Sequence, residues 1–389
     1  MKLEFINIEN VGCIKNLTID KIDPHMNVIT GPNGVGKTTL LKAVCSILTN
    51  IESVNLKRNA RSERGIISGT LCEDSSTFIK SVEFTEFTPD HRSYSSGFGK
   101  GKNLIYISDN REFDYLKLSS IPRDLTRDNY EYNQNIIKLI RPEEIKGWFV
   151  NRYLFSAHAD GLTDAQRVNF EHAKSAFSIL DESVKFKRVD SHSLDILLET
   201  SFGSIYFEYL SSGFKSLIIL ILGIIKEIEF RFSDENVTVD DFDGIVVIDE
   251  VDIHLHPTWQ AKIVNVLQKV FPKVQFFVST HSPHVVQSLP PNQLIALEKV
   301  NDNIVRRSLP ISETGYIGWT VEEILKDVMR MSNTNSDVFQ KQWNIFTKAI
   351  ENEDFDNAQR SGDLLLKMLH PSSVLRKVIQ LHLTSVCND

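Results

Sequence analysis

The sequence predicts an α/β fold: a head with a mixed sheet, an antiparallel β lobe and a helical section, followed by a short C-terminal helical tail. Three observations predict it. Residues 26–30 (MNVIT) form a short apolar run that enters a Gly-rich loop and then a helical pattern. Residues 245–249 (IVVID) and 274–279 (VQFFVS) are apolar runs separated by a helical pattern over 257–270, as parallel strands joined by crossovers are. After Ser308 the pattern changes to helices alone.

Each element follows in chain order. Residues 3–8 and 17–22 alternate apolar and polar, as half-buried strands do. Residues 37–49 place Leu40, Leu41, Val44, Ile47 and Leu48 on one helical face. Residues 65–110 hold short strands with turn-rich joints, read as an antiparallel lobe with a flexible loop at 90–102. Residues 130–182 read as helical, with Thr163 and Gln166 as a capping box. Strand patterns return at 194–199 and 204–210, and 213–230 reads as a nearly all-apolar, buried helix. In the tail, helices are predicted over 320–331, opened by a Thr320/Glu323 capping box, over 338–350, and twice more before the end. The expected division is a head over 1–316 and a helical region over 317–389. Within the head, 1–128 would carry the Gly-rich loop and the β lobe, 129–200 the helical section, and 201–316 the later strands. No internal repeat or low-complexity segment is present.

Composition limits the function classes. The chain has 389 residues, 41 % hydrophobic and 24 % charged, as a soluble globular protein has. Its longest apolar stretch, 217–225, is too short to span a bilayer and is followed by Lys226 and Glu227. The N-terminus alternates like a strand and does not read as a secretory signal. Cys13, Cys45, Cys72 and Cys387 are scattered without metal-ligand spacing, so reduced thiols in a cytoplasmic protein are expected. Acids outnumber bases by 51 to 43, a net charge of −8, which argues against a general nucleic-acid coat. The densest basic cluster, Lys57, Arg58, Arg61 and Arg64, reads as a solvated loop in preference to a DNA or partner contact.

Four motifs carry chemistry. Gly31-Pro32-Asn33-Gly34-Val35-Gly36-Lys37-Thr38 is a complete GxxxxGK[ST] P-loop between a strand and a helix. Its backbone N–H groups would turn inward around phosphates, and Lys37 would supply a point charge at the β/γ-phosphates. Thr38 would ligate Mg²⁺, and Thr39 completes the loop. The run ending in Asp249 and Glu250 delivers two adjacent carboxylates at a strand tip, one for the Mg²⁺ shell and one to polarise the attacking water. The same run alone is also compatible with a strand ending in a helix cap. Ser211 and Gly213 in LSSGFK would sit at a helix N-terminus, an anion site; read alone the segment favours a plain helix cap, and its value lies in its place between the P-loop and Asp249. His281 in STHS follows an apolar strand and is placed to contact a γ-phosphate, against the plainer reading of a structural histidine.

These four segments, in this order, resemble the ABC ATPase family over the first three quarters of the chain. The resemblance implies ATP and Mg²⁺ as ligands, Asp249 on the metal, Glu250 as base and His281 as switch. It implies that Ser211 and Gly213 act in trans, on a nucleotide held by Gly31 to Thr39 of another copy, so that a dimer or higher oligomer forms through the ATP sites. Asp249-Glu250-Val251-Asp252-Ile253-His254-Leu255-His256-Pro257 and Ser279 to Pro283 look like the RecF- and OLD-like branch. The segment 318–325 with its helical tail is similar to the ATPase subunits of Septu and related retron anti-phage systems. That similarity implies an antiviral-defence complex with a separate HNH nuclease, nucleic acid reached through the complex, and no membrane. Alternatives are a RecF-like repair ATPase binding DNA directly and an OLD-type ATPase-nuclease. The OLD-type reading needs a Toprim domain, for which Asp354 and Asp356 have spacing but not surroundings. A nucleotide-holding protein with slow turnover is a further alternative. Three features depart from the ABC pattern. Gln134 and Gln166 lie in the helical section, leaving the Q-loop unassigned. His254 and His256 stand where many members carry a D-loop aspartate, and Ser212 and Phe214 replace the transporter signature's Gly and Gln.

Overall fold

The computed structural model of the chain describes residues 1–49, 55–90, 97–109, 115–121, 123–124, 128–134, 142–309, 314–331 and 334–386. Cys387, residues 91–96 of the loop predicted at 90–102, and the side chain of Gln134 lie outside the described residues. The chain divides into two compact units, Met1–Arg330 and Met331–Asp389.

Among the described residues the first unit is built around three sheets. β1 (Lys2–Val11), β2 (Ile14–Ile19), β4 (Gly65–Glu73) and β5 (Ser76–Phe84) form an antiparallel sheet in the order β2-β1-β4-β5. The central sheet is β13-β12-β3-β11-β10-β6. It joins β3 (Met26–Thr30), β6 (Leu104–Ile107), β10 (Ile245–Ile248), β11 (Gln275–Ser279) and β12 (Leu294–Val300) in parallel, with β13 (Asn303–Arg306) antiparallel on its edge. A third sheet, β7-β8-β9, spans Lys185–Val189, Ile196–Thr200 and Gly203–Tyr206.

The central strands are apolar at nearly every position because both faces are covered. Along β10, Val246 and Ile248 join one core with α5 (Ser212–Arg231), α4 (Asp164–Leu180) and α7 (Ile263–Val270). Ile245 and Val247 join the other, with α1 (Lys37–Leu48) and the antiparallel sheet. The period-two alternation thus sorts one strand between two cores.

The structure departs from the sequence reading in several places. β2 begins earlier than residue 17, paired to β1 through Val11↔Ile14. β6 leaves the antiparallel lobe for the parallel sheet; all four of its side chains are buried, which a strand with one solvent face would not allow. The described end of the 90–102 loop is tied to α1, with Gly97, Phe98 and Lys100 donating to Thr49, Ile47 and Leu48 carbonyls. The helical section holds α2 (Asn129–Gln134), α3 (Pro142–Ser156) and α4, then β7, which the pattern did not signal. The helix expected at 257–270 is two pieces, α6 (Pro257–Gln260) and α7. α8 (Pro283–Gln287), β12 and β13 follow, the strands again unanticipated. The boundary falls after Arg330 and not after 316, because Tyr316, Ile324, Val328 and Met329 are buried in the first unit's core. Of the helix expected at 320–331, α9 (Val321–Glu323) runs on only as a π turn over Ile324–Val328.

Among the described residues the second unit is three helices, α10 (Asp337–Glu351), α11 (Phe355–Met368) and α12 (Val374–Val386), around Phe346, Leu365, Ile379 and Leu383. Asp354 is the N-cap of α11, accepting from Asn357 N, so the Asp354/Asp356 pair stands on a helix start and not on strand tips. Among the described residues, no helix is long and apolar enough to cross a membrane.

Candidate functional site

Register gathers the site. Ile29 pairs with Ser279, Val278 with Ile248, and Ile248 with Ile107, so β3, β11, β10 and β6 end on one edge of the sheet. The loops leaving those ends converge there, where ligands of parallel sheets bind.

The P-loop leaves β3. Gly31 has φ 144°, and a Cβ there would lie 2.4 Å from the Leu297 carbonyl oxygen, so β12 passes too close for any side chain. Val35 is buried and anchors the loop. α1 begins at Lys37 with Gly36 as N-cap, no side-chain cap and no acid in its first turn. Its N-terminal N–H groups and dipole are therefore available to an anion. Lys37 is buried, and its Nζ donates to the Gly31 and Pro32 carbonyls at 2.9 and 3.0 Å. Burial pulls its amine below the usual lysine range, and the carboxylates of Glu250, Asp249 and Asp252 oppose that pull.

The carboxylates leave β10. Asp249 is 5 % exposed and Glu250 half-buried, with Glu250 held at φ +50°, a conformation costly for a non-glycine residue. One hydroxyl holds both. Ser279 Oγ donates to Asp249 Oδ1 at 2.5 Å and accepts from Glu250 N at 2.7 Å. β11 then delivers Thr280 and an exposed His281. Asp252 Oδ1 accepts from Thr280 Oγ1 at 2.6 Å and from His281 N at 3.3 Å.

Asn33, Gly34, Gly36, Lys37, Thr38, Thr39, Asp249, Glu250 and His281 line one cleft of about 350 Å³, with Cys13 and Ser279. That volume falls within the range of small-ligand sites. Thr38 and Asp249 offer oxygen donors beside the loop. Mg²⁺ is commonly held by one or two protein oxygens together with substrate phosphates and water, so this donor set fits it. Among the described residues there is no cluster of three or more His, Cys, Asp or Glu side chains able to hold a metal on its own.

Ser211 and Gly213 stand elsewhere and do not line this cleft. Ser211 is exposed and caps α5, its hydroxyl accepting from Phe214 N at 3.3 Å. Gly213 is buried against the loop after Glu250; a Cβ would lie 2.7 Å from His254 O. Phe214 sets its ring edge-on to Trp259, with centroids 5.6 Å apart. The signature segment therefore rests on the loop that descends from the carboxylates.

Sequence reasoning missed three contributors. Ser279 and Asp252 were within quoted motifs, but their partners lie 30 and 28 residues away in sequence, beyond any local pattern. Cys13 lines the cleft from the β1–β2 turn, 3.8 Å from Thr39 Oγ1. The tip of β6 also reaches this edge, where Asp249 N donates to Ile107 O and Ser108 and Asp109 follow. In the basic cluster Arg61 and Arg64 are exposed, and each arginine has a partner within the chain. Arg58 donates to the Thr85 and Ser62 carbonyls and lies over Phe87, Arg61 pairs with Asp302, and Arg64 with Glu83.

Residues 26–287 match the family model described as "AAA domain, putative AbiEii toxin, Type IV TA system". The chain is 38 % identical over 386 residues to the Septu protein PtuA of Bacillus thuringiensis, an alignment covering 97 % of this chain and 96 % of that one. It is 33 % identical over 151 residues to "Retron Vc95 probable ATPase" of Vibrio cholerae serotype O1 biovar El Tor, covering 39 % of this chain and 29 % of that one. Among solved structures, an SMC head bound to the C-winged helix domain of ScpA aligns with TM-score 0.51 and 12 % identity, over 79 % of this chain and 98 % of that chain. At that identity the likeness is one of fold.

Proposed function

The chain belongs to the family of the Septu protein PtuA, with an ABC-type ATPase head, and from that premise we propose that it is the ATP-hydrolysing subunit of an anti-phage defence complex. The observation that carries the reading is the single cleft in which a P-loop lysine, two strand-tip carboxylates and an exposed histidine meet.

In this reading Gly31 to Thr39 wrap the phosphates, and Lys37 turns from its own loop carbonyls to the β/γ-phosphates. Thr38 and Asp249 would hold Mg²⁺, which when bound would neutralise phosphate charge. Glu250 accepts a hydrogen bond from the attacking water and aligns it with the γ-phosphorus. His281 donates to a γ-phosphate oxygen. Ser211 and Gly213 close over the nucleotide of a second copy, where the exposed hydroxyl and N-terminus of α5 add donors for the same phosphate. The dimer so formed scaffolds or restrains a separate HNH nuclease of the PtuB type, and nucleic acid meets the complex through that partner. The complex works in the cytoplasm.

The test is the solution mass of the pure chain with Mg-ATP across a dilution series, for wild type and Glu250→Gln. A dimer or larger assembly stabilised by ATP, more strongly in Glu250→Gln with turnover reduced, is the expected result. A strict monomer that still hydrolyses ATP would overturn the shared-site arrangement.

A further inference from the structure

We propose that Asp252 is a positioning residue of the nucleotide site, a latch that holds Thr280 and His281 at the mouth of the cleft. The proposal rests on the hydrolytic reading above. β11 ends at Ser279, so the segment carrying His281 has left the sheet. His281 is exposed, so packing does not hold its ring, and its main-chain N–H is accepted by Asp252. The same carboxylate oxygen takes the Thr280 hydroxyl, and Thr280 Oγ1 in turn accepts from Ser282 N at 3.0 Å. The carboxylate thus ties down the His281 end of the turn from β11 into α8, while Thr280 N donates to Ile29 O and Ser282 caps α8.

Asp252 is itself well seated. Val251 N donates to Ser279 O, Ile253 N to Glu250 O, and Leu255 N to Asp252 O, so residues 250–255 form consecutive turns. Gly213 closes against the His254 carbonyl from the other side. A negative charge beside a phosphate site is otherwise a liability, because like charges repel in a partly buried cleft. Asp252 is the smallest of the three carboxylate influences that oppose the burial of Lys37. The geometry assigns Asp252 its value as an acceptor of two hydrogen bonds, and a neutral acceptor of the same shape would serve the same purpose.

The experiment compares Asp252→Ala, Asp252→Asn, His281→Ala and the Asp252→Ala/His281→Ala double variant, by steady-state ATP turnover and by hydrogen exchange over residues 279–284. Asp252→Ala is expected to speed exchange at the His281 amide by about tenfold or more. It is expected to lower kcat by about ten- to a hundredfold, with KM within about twofold, as small misplacements of a reacting group do. Asp252→Asn recovers most of both losses. On the His281→Ala background, Asp252→Ala lowers kcat no further, an outcome that general destabilisation would not give. Unchanged exchange in Asp252→Ala, a full additive loss in the double variant, or damage in Asp252→Asn equal to that in Asp252→Ala would each overturn the latch. Wild-type turnover no higher than that of Lys37→Ala would instead overturn the hydrolytic reading, and the exchange arms then decide the latch by themselves.

Discussion

Lys37 lies between opposing influences. Its burial disfavours the ammonium form, and Glu250, Asp249 and Asp252 favour it, with burial the larger effect. A bound triphosphate adds negative charge and raises the amine's pKa again, so binding takes up a proton wherever the free amine is deprotonated. The sign follows. Affinity for ATP is highest below the free-state pKa and falls as pH rises through it, starting below the ordinary lysine range because that pKa is lowered. Titrating Mg-ATP affinity up the alkaline limb tests this. The fall is expected in wild type and absent from the weaker binding of Lys37→Ala. At this scale the sequence was partly legible. A P-loop announces itself because consecutive residues build it, as Gly31 to Thr39 do. Asp249 and Glu250 were readable once the P-loop was in view. Ser279 and Asp252 were not, since a hydroxyl or carboxylate gains its role from a partner that only the sheet register brings near.

α5 shows how an element carries more than its pattern states. Leu217 to Ile225 is apolar and buried, as the sequence predicts, and the helix then continues through Lys226, Glu227, Glu229 and Arg231, all buried as well. These charges are tolerated because neighbours meet them. Lys226 pairs with Glu144 at 2.7 Å, Arg231 with Glu227 at 3.2 Å, and Glu229 with Arg152 of α3 while accepting from Trp148 Nε1 at 3.0 Å. Burial pushes the Glu229 carboxyl up, and Arg152 holds it back. Removing the arginine alone leaves a buried acid without its cation. Arg152→Met is therefore expected to cost about 3–5 kcal/mol in urea unfolding, and Arg152→Met/Glu229→Leu to recover only part of that loss, because Trp148 Nε1 then lacks its acceptor. Equal destabilisation of the single and double variants would show that the pair is not what anchors α5 to α3. The apolar stretch was legible because hydrophobicity is local. The buried pairs were not, because Arg152 and Glu229 stand 77 residues apart, and a charge in sequence reads as surface. β6 failed for a related reason: four apolar residues fit either an antiparallel lobe or a covered parallel strand until their neighbours are known.

At the scale of the molecule, the division after Arg330 separates units of very different resources. Met1–Arg330 has two large cores on the two faces of one sheet. Met331–Asp389 has Phe346, Ala349, Ala358, Leu365, Ile379 and Leu383 as its buried apolar residues among those described, with a stacked Phe339–Trp343 pair beside them. Helical periodicity found the tail helices but not this boundary. The residues before Arg330 also read as helix, and only their burial in the first core assigns them to the head. Every residue lining the nucleotide cleft lies in the first unit. A chain ending at Arg330 is therefore expected to keep its cooperative unfolding transition and to bind Mg-ATP within about twofold of the full chain, since it retains all of those lining residues. The isolated tail, with so small a core, is expected to show little stable helix by circular dichroism at room temperature. Calorimetric titration with Mg-ATP and thermal unfolding of both pieces check the two expectations together. Loss of nucleotide affinity by more than about tenfold in the shortened chain would mean that the tail supports the cleft, and that the two units are not energetically separate.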